Sequence, residues 1–518
     1  MHADLSRSTF RPERHYSAVV AQQGRVQLDA DLNEQTAIEL HRARTLTADL
    51  IGRHGGPRDA TGFRIEYVGG KHDIDTLYIH GGRYYVDGVL CDADRPAPEE
   101  PVPDEDAAAA DRQAAPAQPY WDYWNQPDGF RDPERPGDRL PSPGQSPFVV
   151  YLQVWERAVC AAEDPALREV ALGAALPDTA VRAKVVWQVL PLSLTELEIE
   201  DADPSREDVR DAFERWAQRQ ATPAARLAAR AERPEHADED PCLVRPGARY
   251  RGQENQLYRV EVHAGGTAKD ATFKWSRENG SVVFPVDGLD GTWVRLASLG
   301  FDDKLDLDVG DLVEVTDTAY ASRLEALPLL RVEELDLPGR RVRLSAEPDP
   351  HVGRLPHLHP FLRRWDHREG PRRKGRTAAL EGGAIPVTEG EWLPLEDGVE
   401  VYFATDGTYR SGDHWLIPAR TATGGVDWPV DPARRPLLRA PAGIDRHFAP
   451  LALVKGEESA VDLRLAFGPL AGSIPAADEA TLAAEASAAQ EEQAAEADPS
   501  DGRSQTTAAA EEAAEGDE

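Results

Sequence analysis

Short segments of period-two hydrophobicity, cut apart by glycine, asparagine and proline, recur along most of this chain and confine it to folds built from many small strands. Phe63, Ile65 and Tyr67 alternate with Arg64 and Glu66, so one face is apolar and the other wet. Residues 76–80 and 83–91 flank His80-Gly81-Gly82 and predict a hairpin with a glycine turn. Strands resume over 148–157 and 183–191, then over 258–263, 271–276 and 281–286, the last two predicting a hairpin closed by Glu278-Asn279-Gly280. Leu305, Leu307 and Val309, followed by 312–316, 330–335 and 342–344, give short strands at the regular spacing of a small barrel or sandwich. The expected class is mainly β with some α: a multi-module architecture of β-sandwich and small barrel, with an N-terminal helix and a disordered acidic C-terminal tail.

Two helices interrupt this pattern. The run Gln22-Gln23-Gly24-Arg25-Val26-Gln27-Leu28-Asp29-Ala30-Asp31-Leu32-Asn33-Glu34 reads as an extended segment, with Val26 and Leu28 on one face, feeding a helix whose first turn carries its acids against the positive helix end. Leu40, Ala43, Thr47 and Leu50 make a narrow apolar stripe on it, and Gly52-Arg53-His54-Gly55-Gly56-Pro57 stops it. Ser205, with Asp208 three residues on, opens a second helix with Val209, Phe213 and Trp216 on one stripe, continuing into an Ala/Arg-rich stretch read as a surface insertion. The predicted organisation is 1–60 as extended segment and helix. A β-rich module follows over 61–288, with an irregular excursion at 92–147 and a helical insertion at 203–234. The rest divides into a small all-β module at 289–345, a loop-rich β module at 346–470 and the acidic tail at 471–518.

Composition narrows the function classes. A net charge of −34 opposes general nucleic-acid binding and docking on anionic lipid, both of which need a basic surface. Residues 476–518 hold thirteen acidic residues against one basic residue, Arg503, with too little apolar content to bury. Cys91, Cys160 and Cys242 are far apart and form no C-x-x-C pair, which predicts three free thiols. The first eighteen residues lack the apolar core of a secretory signal, and no long apolar run exists, so synthesis in the cytoplasm and no membrane insertion are expected.

The chemical constellations are each matched by a plainer reading. Asp29, Asp31 and Asn33 begin like a calcium loop, but its sixth and twelfth positions are Glu34 and Leu40, where Gly and Glu are needed. Glu254, Glu261, Glu278 and Asp287 near Trp275 suit either a glycan cleft with two working carboxylates or a half-solvated sheet. His351, His357, His359 and His367 suit a transition metal or a polar loop. Ser276, His263 and Asp270 lack the G-x-S-x-G elbow of a hydrolase. The Gly-Gly pairs at 69–70, 265–266 and 424–425 lack phosphate-cradle spacing, so no catalytic residue, metal or cofactor is assigned. The candidate interface residues are Trp121 and Trp124, for stacking or anchoring, and the basic run with Arg363, Arg364, Arg372, Arg373 and Lys374, for an acidic neighbouring subunit or the chain's own acidic tail.

Several separated blocks resemble an uncharacterised domain family met in bacterial gene clusters for extracellular, phage-tail-like contractile injection systems. They are residues 10–34, Gly82-Arg83-Tyr84-Tyr85-Val86-Asp87-Gly88, Tyr151-Leu152-Gln153-Val154-Trp155-Glu156-Arg157 with 163–169, residues 255–261, Phe273-Lys274-Trp275-Ser276-Arg277-Glu278-Asn279-Gly280-Ser281, and residues 409–420. The resemblance implies a non-enzymatic structural or attachment component of a tail-like particle, with other subunits of the particle as partners and self-association as a candidate. Such a component is made in the cytoplasm and released with the particle. The competing class is a glycan-binding or glycan-degrading protein of the same system.

Overall fold

The computed structural model describes residues 1–470, apart from 70–74, 97–118, 143–145, 174–176, 202, 232–248, 301–303, 369–370, 373–375, 378 and 457–458. The chain is mainly β, arranged as several sheets and one closed barrel.

Its first layer centres on the strand Phe148–Val159, paired on one side with Arg182–Ser193 and on the other with His447–Gly456, which in turn pairs with Ser459–Asp462. Both faces of Phe148–Val159 are covered, and its side chains divide by parity. Phe148, Val150, Leu152 and Val154 enter a core shared with two smaller sheets, whereas Val149 and Tyr151 meet a helix on the opposite side. That helix, α2 below, is the second of three that we label α1 (Asp29–Ile51), α2 (Arg206–Ala221) and α3 (Thr318–Arg323). Ser205 caps α2 by accepting from Asp208 N, and Val209, Phe213 and Trp216 are the buried stripe.

The glycine turn does not close the first hairpin. Thr76–His80 pairs with Ile65–Val68 and Tyr120–Asp122, while Arg83–Val86 pairs with His54–Pro57 and Val89–Asp92. Gly81-Gly82 therefore carries the chain between sheets, and Asp87-Gly88, with φ of 45° and 81°, makes the tight turn. Tyr120–Asp122 gives the 92–147 excursion a paired strand, and the Ala/Arg-rich stretch is likewise not a surface insertion. Its Ala225, Leu227 and Ala229 are fully buried, because Leu227–Ala231 pairs with Val399–Phe403.

The second layer is a sandwich. Thr272–Ser276, Gln256–Val262 and His414–Arg420 form the middle of one sheet; Trp392–Pro394, Val399–Phe403 and Leu227–Ala231 form the other. Tyr258, Val260, Phe273 and Trp275 point between them. By parity Arg259, Glu261 and Lys274 project from the far side.

That far side is covered by the barrel. Six strands close it: Val283–Asp290, Trp293–Leu296, Arg341–Leu344, Leu330–Asp336, Leu312–Thr316 and Phe361–Trp365. It thus takes in strands on both sides of the expected 289–345 module. The Asn-Gly turn is also reassigned. Thr272–Ser276 belongs to the sandwich and Val283–Asp290 to the barrel, so residues 278–280 join two bodies and close no hairpin. Asn279 and Gly280 do have positive φ, 52° and 65°, but the Asn279 side chain binds the carbonyls of Met1 and Ala3, which wedges the N-terminal strap at the junction.

Candidate functional site

The seam between sandwich and barrel is a buried ionic cluster. Arg259 and Glu261 on one strand, Lys274 on its neighbour and Glu314 and Arg363 on two barrel strands are all buried or nearly so. Lys274 Nζ lies 3.0 Å from each oxygen of Glu314 and 3.4 Å from Glu261, with the ring of Trp365 beneath it. Arg259 Nε donates to Glu261 and Trp365 Nε1 to Glu314. From the strap, His2 Nε2 reaches Glu261 at 2.8 Å, and Arg363 Nη1 meets His2 Nδ1 at 3.1 Å. One tautomer satisfies both: protonated at Nε2, His2 donates to Glu261 and accepts from Arg363.

Protonation follows from this packing. Burial opposes ionisation of Glu261, but Arg259, His2 and Lys274 outweigh it and hold its pKa well below the usual carboxylate range; burial also opposes ionisation of Glu314, but Lys274 and Arg363 lower its pKa. Burial, aided by Lys274, lowers His263 to about 4, and burial lowers His367 to about 4. The carboxylates are ionised and the histidines neutral around a cleft of about 240 Å³, with His263 Nδ1 and Arg363 Nε buried without a hydrogen-bond partner among the described residues. These contacts lock the sandwich to the barrel.

Most of the tested constellations do not converge. Asp29, Asp31 and Asn33 lie in the first turns of α1, where Asp29 accepts from Ser6 N and Asp31 from Leu28 N. Glu254 and Glu278 share Lys304, Glu261 is in the cluster, and Asp287 faces Arg295. His263 and Ser276 sit at opposite ends of Thr272–Ser276 and its partner strand, since Ser276 pairs with Arg259. His367 is buried with Nε2 on the Gly383 carbonyl, whereas His351 is exposed beside Asp349. No group of three potential metal ligands occurs among the described residues.

Arg363 and Arg364 do not form an outer basic surface. Arg363 faces the seam, and Arg364 donates to the carbonyls of Lys304 and Asp306. Arg373 and Lys374 lie outside the described residues, as does Cys242, and Arg372 is described only as strand backbone. Trp121 and Trp124 are half-buried against the first core, with the Arg95 guanidinium 4.9 Å from the Trp121 ring and Trp124 Nε1 donating to the Asp75 carbonyl.

The surface offers a second site. Of the exposed large apolar side chains among the described residues, eight lie between Tyr16 and Leu50. Val26 is 84% exposed, Leu32 57%, Leu46 61% and Leu50 57%. In α1 only Ala30 and Ile38 are buried, so the predicted stripe through Leu40 and Leu50 faces outward. The inner side is fixed by Arg44 to Glu156 at 2.7 Å and by Gly88, which sits against the Arg44 backbone.

A family model, described as a family of unknown function, DUF6519, matches residues 1–231 and 217–514. The chain belongs to DUF6519. No curated protein and no solved structure matches it. In this DUF6519 chain many charged residues of the sequence blocks serve internal joints. Arg157 binds Glu163 at 2.6 Å, Arg277 grips Glu396 with two bonds of 2.8 and 2.7 Å, and Arg410 donates to the Arg219 and Thr222 carbonyls at the end of α2. In the 22–34 block, by contrast, Ala30 is buried but Val26, Leu28 and Leu32 face outward.

Proposed function

We propose that this protein is a non-enzymatic structural or attachment component of a phage-tail-like contractile injection particle and works through protein–protein interfaces. The observation that carries this reading is the apolar surface of residues 16–50. It gathers aliphatic side chains where a solitary soluble protein ordinarily scatters them. The sequence block on which the resemblance most depends lies on that surface and not in a core, as a recurring assembly contact requires. The internal pairing of the motif carboxylates, arginines and histidines supports the same reading: they hold the modules rigid so that a surface is presented in one shape.

The test is co-purification. Tagged protein isolated from its native cells is expected to bring down sheath, tube or baseplate subunits, and Leu46→Glu is expected to abolish this without unfolding the chain. Recovery of the folded protein alone, together with polysaccharide hydrolysis lost in Glu278→Gln, would overturn the proposal in favour of a glycan-degrading protein.

A further inference from the structure

We propose that the outward face of α1 is covered by α1 of a second copy of this chain, packed antiparallel. The inference rests on reading residues 16–50 as the assembly surface, and adds which molecule occupies it. Leu32, Leu46 and Leu50 fall within about 40° of one another around the helix and are more than half exposed. Leu32 also lines a cleft shared with residues 2–7 of the strap, and each of the three keeps more than half of its surface in solvent.

Charge and register select the occupant. Glu39 and Arg42 are both exposed; Glu39 lies within the leucine stripe, where its carboxylate accepts from Gln35, and Arg42 lies at the stripe's edge. A helix laid antiparallel with its centre near His41 sets Leu32 against the second copy's Leu50, and the same register sets Glu39 beside the second copy's Arg42. Parallel packing would place Glu39 on Glu39 and Arg42 on Arg42. One register therefore satisfies the apolar and the ionic requirement together, and twofold symmetry repeats each contact.

The area is adequate. A 23-residue helix is about 35 Å long and 10 Å across, so one face offers about 350 Å². The arm beside it, tied down where Gln35 accepts from Val19 N, adds the exposed Val20 and Val26 toward the ~800 Å² per partner of a standard interface.

Light scattering on the purified full chain, over a hundredfold concentration range, tests this. Wild type is expected at twice the mass of one chain. Leu46→Glu and Glu39→Arg are expected at the mass of one, with unchanged circular dichroism, and Glu39→Arg combined with Arg42→Glu is expected to restore the dimer to within about tenfold of wild-type affinity. A monomeric wild type overturns the inference, and so does a dimer that ignores Leu46→Glu or is not recovered by the charge exchange. If wild type is monomeric but Leu46→Glu still abolishes co-purification with particle subunits, the surface reading stands and only the second copy fails. If neither mass nor co-purification responds, both fail.

Discussion

His2 and Glu261, far apart in the sequence, meet at 2.8 Å, and through them the N-terminal strap is bound into the seam between sandwich and barrel. Glu261 simultaneously accepts from Arg259 and lies 3.4 Å from Lys274, so one carboxylate balances a buried arginine and shares a buried lysine. Glu261→Gln leaves those cations under-compensated in a low-dielectric site. Equilibrium denaturation is expected to show a loss of about 3–5 kcal/mol. An unchanged midpoint would mean that the cluster is not the lock described.

Acid should weaken the same region before it titrates the carboxylates. His263 and His367 have folded-state values of about 4, below their ordinary 6.5, so between pH 6.5 and 4 the unfolded chain binds the more protons and stability falls as pH falls. Each contributes about 1.4 kcal/mol per pH unit across that window. His367→Asn is expected to flatten the decline by one histidine's share when melting is followed from pH 7 to 4. Glu261 and Glu314, whose values are depressed, keep their contribution through this window and lose it at lower pH.

Gly88 explains part of a sequence block by geometry. At φ 81°, a Cβ there would overlap the Arg44 carbonyl oxygen and lie 2.7 Å from Arg44 Cα. Gly88→Ala should therefore push α1 off the tight turn at a cost of about 3 kcal/mol. Limited proteolysis should then cut within α1 at least tenfold faster than in wild type.

Asp138 joins the segment after Tyr120–Asp122 to α3. It accepts from Arg323 twice at 2.9 Å, from Arg131 at 3.0 Å and from the backbone of Asp132. Asp138→Asn removes the charge that two arginines share and should cost about 3 kcal/mol by calorimetry or denaturant titration.

Local grammar was readable from the residues, and long-range pairing was not. Ser205 with Asp208 announced α2, and period-two runs located most strands, because caps and pleats depend on neighbours in the chain. Asn279-Gly280 had the right conformation for a hairpin yet joins sandwich to barrel, since the next strand finds Phe361–Trp365 and not its predecessor. Glu261 read as part of a glycan cleft or of the wet face of a half-solvated sheet, and its neighbours Arg259 and Lys274 drew no reading at all. They face the barrel, and alternation alone cannot distinguish water from a second body as the thing opposite. The α1 stripe failed in the reverse sense: leucines at helical spacing imply a face turned to the core, but Leu40 and Leu50 are exposed.

Hydrogen exchange across Asp29–Ile51, compared between dilute protein and the assembled state, tests the central claim most directly. Burial of the α1 face on assembly predicts at least tenfold slower exchange there, with the barrel strands unchanged. Equal exchange rates in the two states would contradict the account.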